Sequence, residues 1–469
     1  MVATQEKAPS VRAGAADQVP LRSVLQNEVK YGLRYLVRDT LQSERRVQTL
    51  LAQERLPKER QEAITSRLLL ETVRAAIRRI PAYRGVKEAD LHPGNVRDVL
   101  VERFPVIGKS DLIGRPSDYY PRRSSPRPWT IIGRTSGTSG TPLEVFRSLD
   151  SVLWENAFVE RHFRWSGYRP GMRRAYLRGD LIVPIDRTTP PYWFLNRYKN
   201  QMIVSSRHLR EDCVDDIVDM LSRFAPYMME AYPSTAYELA LLLDKRNTSL
   251  RIPYVYTGSE PVYPHQRELI TARLGTCVMD HYGMAERIAY ATECEHGSLH
   301  VNTDYSFVEI VDEDGKPTDG EGYVAGTTFH NGVMPLLRYR MSDRTRWRQT
   351  SCACGRTYPV IEPVTGKYED TLFGSRGQRI SPSVVTFAFK SLRGIKYSQV
   401  AQTAEGTWEI RVVPEASFGE GERNRLIENV KHLVDPGLHV TVREVAEIAR
   451  TSAHKYRWIV NESKRPPAG

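Results

Sequence analysis

The sequence predicts an α/β protein: a large N-terminal unit with a helical opening region, followed by a small α+β unit at the C-terminal end. Three observations predict it. Apolar residues recur at helical spacing through Leu21, Leu25, Val29, Leu33, Leu36 and Val37, and again from Leu68 to Ile80 before Pro81 stops the pattern. From Thr130 onward, short apolar runs ending in polar or glycine-bearing turns alternate with longer helical patterns such as Asp215 to Phe224 and Ser234 to Leu243. That alternation is the texture of a partly parallel sheet with crossover helices. The tail reads as strand (Tyr397 to Gln402), strand (Thr407 to Val413), helix (Glu420 to Val434) and strand (Leu438 to Val442), a separate unit of about 100 residues.

A chain of 469 residues has room for roughly two to four domains with ample core. The stretch 1–20 is rich in small and polar residues, lacks an apolar signal core and reads as a disordered lead. Residues 21–366 make the large unit, whose helical region runs to about residue 120, and 367–469 make the small one, with the boundary between Gly366 and Asp370. Hydrophobic content of 40% and charged content of 26% are those of a soluble globular protein. No apolar run approaches the ~20 residues that span a bilayer, so no membrane span is expected and a cytoplasmic protein is. The net charge of +11 is spread, with acidic residues between the basic ones and no Lys/Arg block longer than three, which argues against a nucleic-acid partner. Five cysteines without a secretion signal do not make a disulfide framework and leave metal ligation open.

Chemistry first shows at Gly133-Arg134-Thr135-Ser136-Gly137-Thr138-Ser139-Gly140-Thr141-Pro142, where three glycines and five hydroxyl side chains follow the apolar pair Ile131-Ile132. Glycine lets successive amides turn toward one centre, so such a loop can wrap a phosphate with N–H and hydroxyl donors. It is not a Walker loop, because no lysine follows the last glycine. Two later strands end in polar turns: Ile252 to Tyr256 runs into Gly258-Ser259-Glu260-Pro261, and Cys277 to Met279 into Tyr282-Gly283-Met284-Ala285-Glu286. Ligands of α/β sheets gather at the carboxyl ends of strands, so both turns are site candidates. Tyr305 to Val311 and Gly322 to Thr328 read as antiparallel strands joined by the turn at Asp312-Glu313-Asp314-Gly315.

The remaining thiols form a metal-type pattern between residues 294 and 354. Cys352 and Cys354 sit in one tight turn, and Cys294 accompanies His296 and His300 in a polar stretch. Three cysteines and one histidine suit tetrahedral Zn²⁺ in a closed, structural site. Of the two histidines His300 is preferred, because Gly297-Ser298 permits a reversal back toward Cys294, with His296 as the alternative.

Taken together, these segments resemble the adenylate-forming superfamily, and within it the phenylacetate-CoA ligase-like group that includes capsular polysaccharide biosynthesis (CapK-like) homologues. The loop at Thr135 to Pro142 resembles the family's Ser-Gly-Thr-Thr-Gly-x-Pro phosphate loop, and Tyr282 to Glu286 resembles its Tyr-Gly-x-Thr-Glu motif. Gly258 to Pro261 is similar to the adenine-side turn, and Arg340-Met341-Ser342-Asp343 to the ribose-binding segment. Gly366-Lys367-Tyr368-Glu369-Asp370 is similar to the hinge, and Arg450 to Arg457 to the Arg-Thr-x-x-Gly-Lys-x-x-Arg motif. The resemblance implies attack of a small carboxylic acid on ATP, giving an acyl-adenylate and pyrophosphate, followed by transfer to coenzyme A or to an amine. It implies that Thr135, Ser136, Gly137, Thr138, Ser139 and Gly140 hold phosphates, that Glu286 holds Mg²⁺, that Tyr282 stacks on adenine beside Gly283, and that Asp343 takes the ribose hydroxyls. Lys455 would meet the charge developing at the α-phosphate, carried in by a mobile C-terminal unit turning about Glu369 or Asp370. Lys367 stands where the family has arginine, and a point charge cannot reproduce the planar fork. Cysteine pairs like Cys352 and Cys354 recur in the same group, and a homodimer is compatible with it.

Two further readings stay open. One is nucleotidyl transfer to a hydroxyl substrate, as in the related synthetase acting on a deazaflavin coenzyme; the other is a non-catalytic nucleotide-binding scaffold, suggested by Met284, Lys367 and His454 in place of the usual motif residues. Trp154, Trp165, Tyr192, Trp193 and Phe194 are candidates for an acyl pocket or for ordinary core.

Overall fold

The computed structural model describes residues 21–39, 41–120, 130–134, 143–364, 372–380, 382–389, 392–448 and 457–463. The lead at 1–20, the phosphate-type loop at 135–142, the hinge segment with Lys367, Glu369 and Asp370, and the segment carrying Lys455 lie outside the described residues.

Three helices open the chain: α1 (Leu21–Arg38), α2 (Leu41–Gln53) and α3 (Lys58–Arg79). The last buries Leu69, Val73 and Ala76, one stripe at 3.6-residue spacing, into a core shared with Leu100, Phe104 and Leu337. A short antiparallel hairpin, Ile131–Arg134 with Glu144–Arg147, brackets the phosphate-type loop. After it comes α4 (Leu149–Trp165), whose N-cap Ser148 hydroxyl accepts from the Ser151 amide at 3.0 Å.

A ten-stranded sheet forms the centre. Its strands are β1 (Arg174–Leu177), β2 (Trp193–Asn196), β3 (Gln201–Val204), β4 (Met228–Ala231), β5 (Tyr254–Gly258), β6 (Cys277–Gly283), β7 (Tyr290–Glu293), β8 (Leu299–Val301), β9 (Trp347–Arg348) and β10 (Val360–Ile361). They lie in the order β9-β10-β8-β7-β6-β5-β4-β1-β3-β2, and the run β6-β5-β4-β1-β3 is parallel. Parallel neighbours need crossovers, supplied by α5 (Val214–Phe224), α6 (Pro233–Lys245) and α7 (Pro264–Leu274). Alternate residues Ala175, Leu177, Met229, Ala231, Val255 and Val278 meet Ile217, Leu221, Leu239 and Ile270 of those helices in one dry core. The other face, beneath α1 and α4, carries Met228, Tyr256 and Met279 on β4, β5 and β6, and Arg174, Tyr176 and Glu230 on β1 and β4.

A three-stranded antiparallel sheet follows: Ser306–Val311 pairs with Gly322–Thr328, which pairs with Tyr339–Thr345. The C-terminal unit is a four-stranded sheet (Ile395–Ala404, Thr407–Pro414, His439–Glu444 and Ile459–Asn461) packed on the helices Pro382–Phe389 and Glu420–Leu433 around Trp408 and Trp458, each at most 1% exposed. It docks on the large unit through Arg379, paired with Glu238 at 2.9 Å, and through Arg207, whose Nε donates to the Leu433 carbonyl at 2.9 Å.

Candidate adenylate site and thiol cluster

The carboxyl ends of β5 and β6 lie side by side, with Gly258 opposite His281. A Cβ at Gly258 would run into the His281 ring, so only glycine permits this approach. Ser259 follows with a left-handed φ of 70° and Arg287 has φ 59°, backbone strain concentrated in the two turns that a ligand would meet. Glu260 accepts from the Ser234 amide at 3.1 Å, tying the first turn to the start of α6, while Ser259 and Pro261 are exposed beside it.

Tyr282, at the end of β6, donates its hydroxyl to the Asp343 carboxylate at 2.9 Å across 61 positions of sequence. Burial and the neighbouring Asp343 push its phenol far above the ordinary tyrosine range, so it stays a donor. Gly283 is exposed at the tip. Glu286, four residues past Tyr282, is only 5% exposed and touches the Tyr339 hydroxyl at 3.4 Å. Burial raises its carboxyl above the usual range, Lys109 opposes the rise, and Asp343 adds to it. Glu286 and Asp343, two carboxylates that act on each other here, suit a hard cation. His281 behind them is held neutral by burial and by Arg178, its imidazole pushed down to about 3.

Two cations absent from the motif reading sit at this seat. Lys109 opens the short helix Lys109–Gly114 and faces Glu286 from the helical region. Arg147, on the strand after the phosphate-type loop, donates its guanidinium to the Ala285 carbonyl and so ties that hairpin to the Glu286 turn. Its place at the end of the apolar run Leu143 to Phe146 was the available sequence signal. Of the residues resembling family site positions, the structure brings Tyr282, Asp343 and Glu286 together, with the Gly258 turn on the neighbouring strand.

The thiol cluster is a second, separate constellation at the β7-β8 end of the sheet. One ligand atom from each of Cys294, His300, Cys352 and Cys354 lies within 4.8 Å of the others. Cys294 and Cys352 sulfurs are 3.6 Å apart, and the Cys354 sulfur is 3.3 Å from His300 Nε2. Ligands ~2.3 Å from a tetrahedral Zn²⁺ lie about 3.7 Å from one another, so the donor set and its spacing fit that ion. His300 Nδ1 lies 3.1 Å from the Tyr358 carbonyl, the outer contact that turns Nε2 toward a metal. His296 is exposed and outside the group. Cys213 is buried in the helix-side core and Cys277 is part-buried beside the other face.

The α/β fold resembles that of acyl-CoA ligases of known structure. Residues 372–462 match the family model of the CapK C-terminal domain. In sequence the chain is similar to the phenylacetate-coenzyme A ligase of Thermus thermophilus, 27% identical over 88% of this chain and 98% of that protein. The Escherichia coli enzyme of that name is 29% identical over 69% of this chain and 74% of its own, and the Staphylococcus aureus protein CapK is 22% identical over 55% and 56%. Among solved structures, a 2-hydroxyisobutyryl-CoA ligase in complex with 2-HIB-AMP and CoA superposes with a TM-score of 0.57 and 20% identity, covering 88% of this chain and 91% of that one. The chain is thus similar in sequence to phenylacetate-CoA ligases and to CapK, and its C-terminal unit matches the CapK C-terminal domain. Among the described residues, no helix is long and apolar enough to cross a membrane.

Proposed function

We propose that this chain activates a carboxylic acid with ATP and then passes the acyl group to the thiol of coenzyme A. In the first half the acid's oxygen bonds to the α-phosphorus and the bond to pyrophosphate breaks. In the second the thiol sulfur bonds to the acyl carbon, its proton is lost, and AMP leaves. The observation that carries the reading is the buried Glu286 beside the Tyr282–Asp343 pair at the strand ends, in a chain similar to phenylacetate-CoA ligases along nearly its whole length.

The chemical difficulty is electrostatic, since an anion must approach a polyphosphate. Glu286 is the residue that would hold Mg²⁺, which screens phosphate charge when bound. Asp343, which accepts from the Tyr282 hydroxyl, is assigned to the ribose hydroxyls, and the Tyr282 ring and the Gly258 to Pro261 turn are assigned to the adenine. Thr135, Ser136, Gly137, Thr138, Ser139 and Gly140 are assigned to the β- and γ-phosphates. Lys455 is assigned to the charge between carboxylate and α-phosphate, Lys367 to a single-point contact, and Glu369 or Asp370 to the pivot of the C-terminal unit. Cys294, His300, Cys352 and Cys354 are assigned to a structural Zn²⁺ that pins the 352–355 turn to β7 and β8. Substrates such as ATP and coenzyme A place the reaction in the cytoplasm.

The test is acid-dependent exchange of labelled pyrophosphate into ATP, followed by coenzyme A-dependent release of AMP. Exchange that is lost in Lys455→Ala, and a thioester formed on addition of coenzyme A, are expected. Exchange with no acid would overturn the adenylation step, and an acyl-adenylate that ignores coenzyme A but is consumed by amines would overturn the acceptor.

A further inference from the structure

A cavity of about 360 Å³, within the ordinary size range of small-molecule sites, lies between the β1-β4 face of the sheet and the helices α1 and α4. It abuts the adenylate site directly: His281, next to Tyr282, and Arg287, next to Glu286, both line it. Its floor is written in β1 and the residue after it, Arg174-Ala175-Tyr176-Leu177-Arg178. Strand period two sends Ala175 and Leu177 into the helix-side core, and Arg174, Tyr176 and Arg178 into the cavity. Glu230, in register with Tyr176 on β4, joins them. Val152, Val159, Phe163 and Ile203 are the lining side chains without a polar atom; the rest of the wall can hydrogen-bond.

The charges on that wall do not balance. Every lining carboxylate has a cation within 4 Å: Asp39 has Lys199 at 2.7 Å, Asp180 has Lys30 at 3.6 Å, Glu155 has Arg287 at 3.4 Å, and Glu160 and Glu230 share Arg174 at 3.5 and 3.9 Å. Among the described residues, the guanidinium groups of Arg34, Arg38 and Arg178 have no carboxylate within that distance. Arg178 rests instead on the rings of Tyr176 and Tyr232, 5.9 and 5.3 Å from their centroids. The Nε atoms of Arg174 and Arg178 and the Tyr31 hydroxyl are buried without a hydrogen-bond partner, and Arg174 as a whole is 5% exposed. A phenyl or alkyl tail would seal these donors from water and leave them unpaired, at the desolvation cost of each. An anionic group would satisfy them.

We propose that this cavity receives the acyl part of the substrate, and that the acid is a dicarboxylic acid whose second carboxylate is held by Arg178, with Arg34 and Arg38 at the mouth. The proposal rests on the adenylation reading above and names the substrate class of that same site. One carboxylate goes to the α-phosphate and the other stays intact as the recognition handle, so recognition adds no bond change to the reaction.

The experiment compares pyrophosphate exchange by the wild-type protein on succinate, glutarate and adipate with exchange on their half-amides, on the matching monocarboxylates and on phenylacetate. Charge-assisted hydrogen bonds contribute about 1.5–3 kcal/mol each, so the best dicarboxylate should exceed its half-amide about 10- to 100-fold in kcat/KM, chiefly through KM. Arg178→Met should erase most of that preference, and Arg178→Lys should restore part of it. If Arg178→Met does not fold, by circular dichroism, the wild-type comparison decides together with Arg38→Met at the mouth. Preference for phenylacetate or a monocarboxylate over every dicarboxylate would overturn the substrate class and leave adenylation standing. Exchange with none of the acids, from protein that still binds ATP in equilibrium dialysis, would overturn both.

Discussion

Glu286→Gln should make the protein more stable and nearly inactive, and the opposite signs are what make it informative. Glutamine keeps the shape and the acceptor oxygen but removes the charge. In the structure burial is the largest influence on that charge: the side chain is 5% exposed and the Tyr339 hydroxyl touches it at 3.4 Å, with Lys109 and Arg147 nearby and Asp343 opposing them. Because burial holds the Glu286 carboxyl above its ordinary range, the folded protein retains a proton that the unfolded chain releases. Stability from this group is therefore lost as pH rises from the ordinary carboxylate value through the raised one. Removing the charge should return about 1 kcal/mol at pH 8, on the order of the ~1.4 kcal/mol that a displacement by one pH unit is worth, and nothing well below pH ~4, where both states are protonated. Catalysis runs the other way, since losing one preorganised electrostatic group costs about 10²–10³ in rate. Urea titration at two pH values and pyrophosphate exchange read the two effects separately. A variant less stable than wild type at pH 8, or one that exchanges within tenfold of it, would refute the argument that burial outweighs the cations around this cation seat.

Protein purified without chelator should contain one zinc per chain by elemental analysis, and Cys354→Ser should lose it; metal-free wild type would remove the zinc assignment. Asp304→Asn should cost about 3–5 kcal/mol in urea unfolding, because it strips the paired charge from Arg161, 1% exposed and bound to Asp304 at 2.6 Å. A loss under ~1 kcal/mol would show that water reaches Arg161. Asp280 is part-buried and its carboxyl is pushed up to about 7 by loss of solvation, with the Thr257 hydroxyl donating to it at 2.7 Å. Its contribution therefore declines as pH rises from about 4 to about 7, by up to ~1.4 kcal/mol per pH unit, and Asp280→Asn should flatten the pH dependence of the urea midpoint over that window.

The elements of the fold were legible where one stripe or one face of a segment is buried. The helix expected from Asp215 to Phe224 is Val214–Phe224, and the ends of the tail's strand, strand, helix, strand series fall within two residues of the observed elements. The antiparallel pair expected at Tyr305 to Val311 and Gly322 to Thr328 is Ser306–Val311 with Gly322–Thr328. Burial acts on each residue locally, so its period is printed in the chain. Pairing across the sheet is not: nothing in the run around Arg174 says that β1 inserts between β4 and β3. The aromatic candidates for an acyl pocket show the same gap. Trp165 is buried with its indole N–H on Glu54 at 2.7 Å, Tyr192 stacks on His208, and none of Trp154, Trp165, Tyr192, Trp193 and Phe194 lines the cavity beside Glu286.

By itself, then, the sequence determined the α/β class, the adenylate-type motifs in their order, and the donor types of the thiol cluster, because each is a property of neighbours along the chain. Tertiary structure alone decided which of them meet: Tyr282 with Asp343, Lys109 with Glu286, Arg147 with the Ala285 carbonyl, and His300 rather than His296 with the three cysteines. It also decided that the space next to the candidate adenylate site is walled by arginines together with other aromatic rings, Tyr31, Phe163, Tyr176, Tyr256 and Tyr290, than the sequence candidates. Charge compensation is a sum over everything within a few ångströms, and those neighbours come from segments more than a hundred residues apart, as with Arg174 on the sheet and Arg34 on α1.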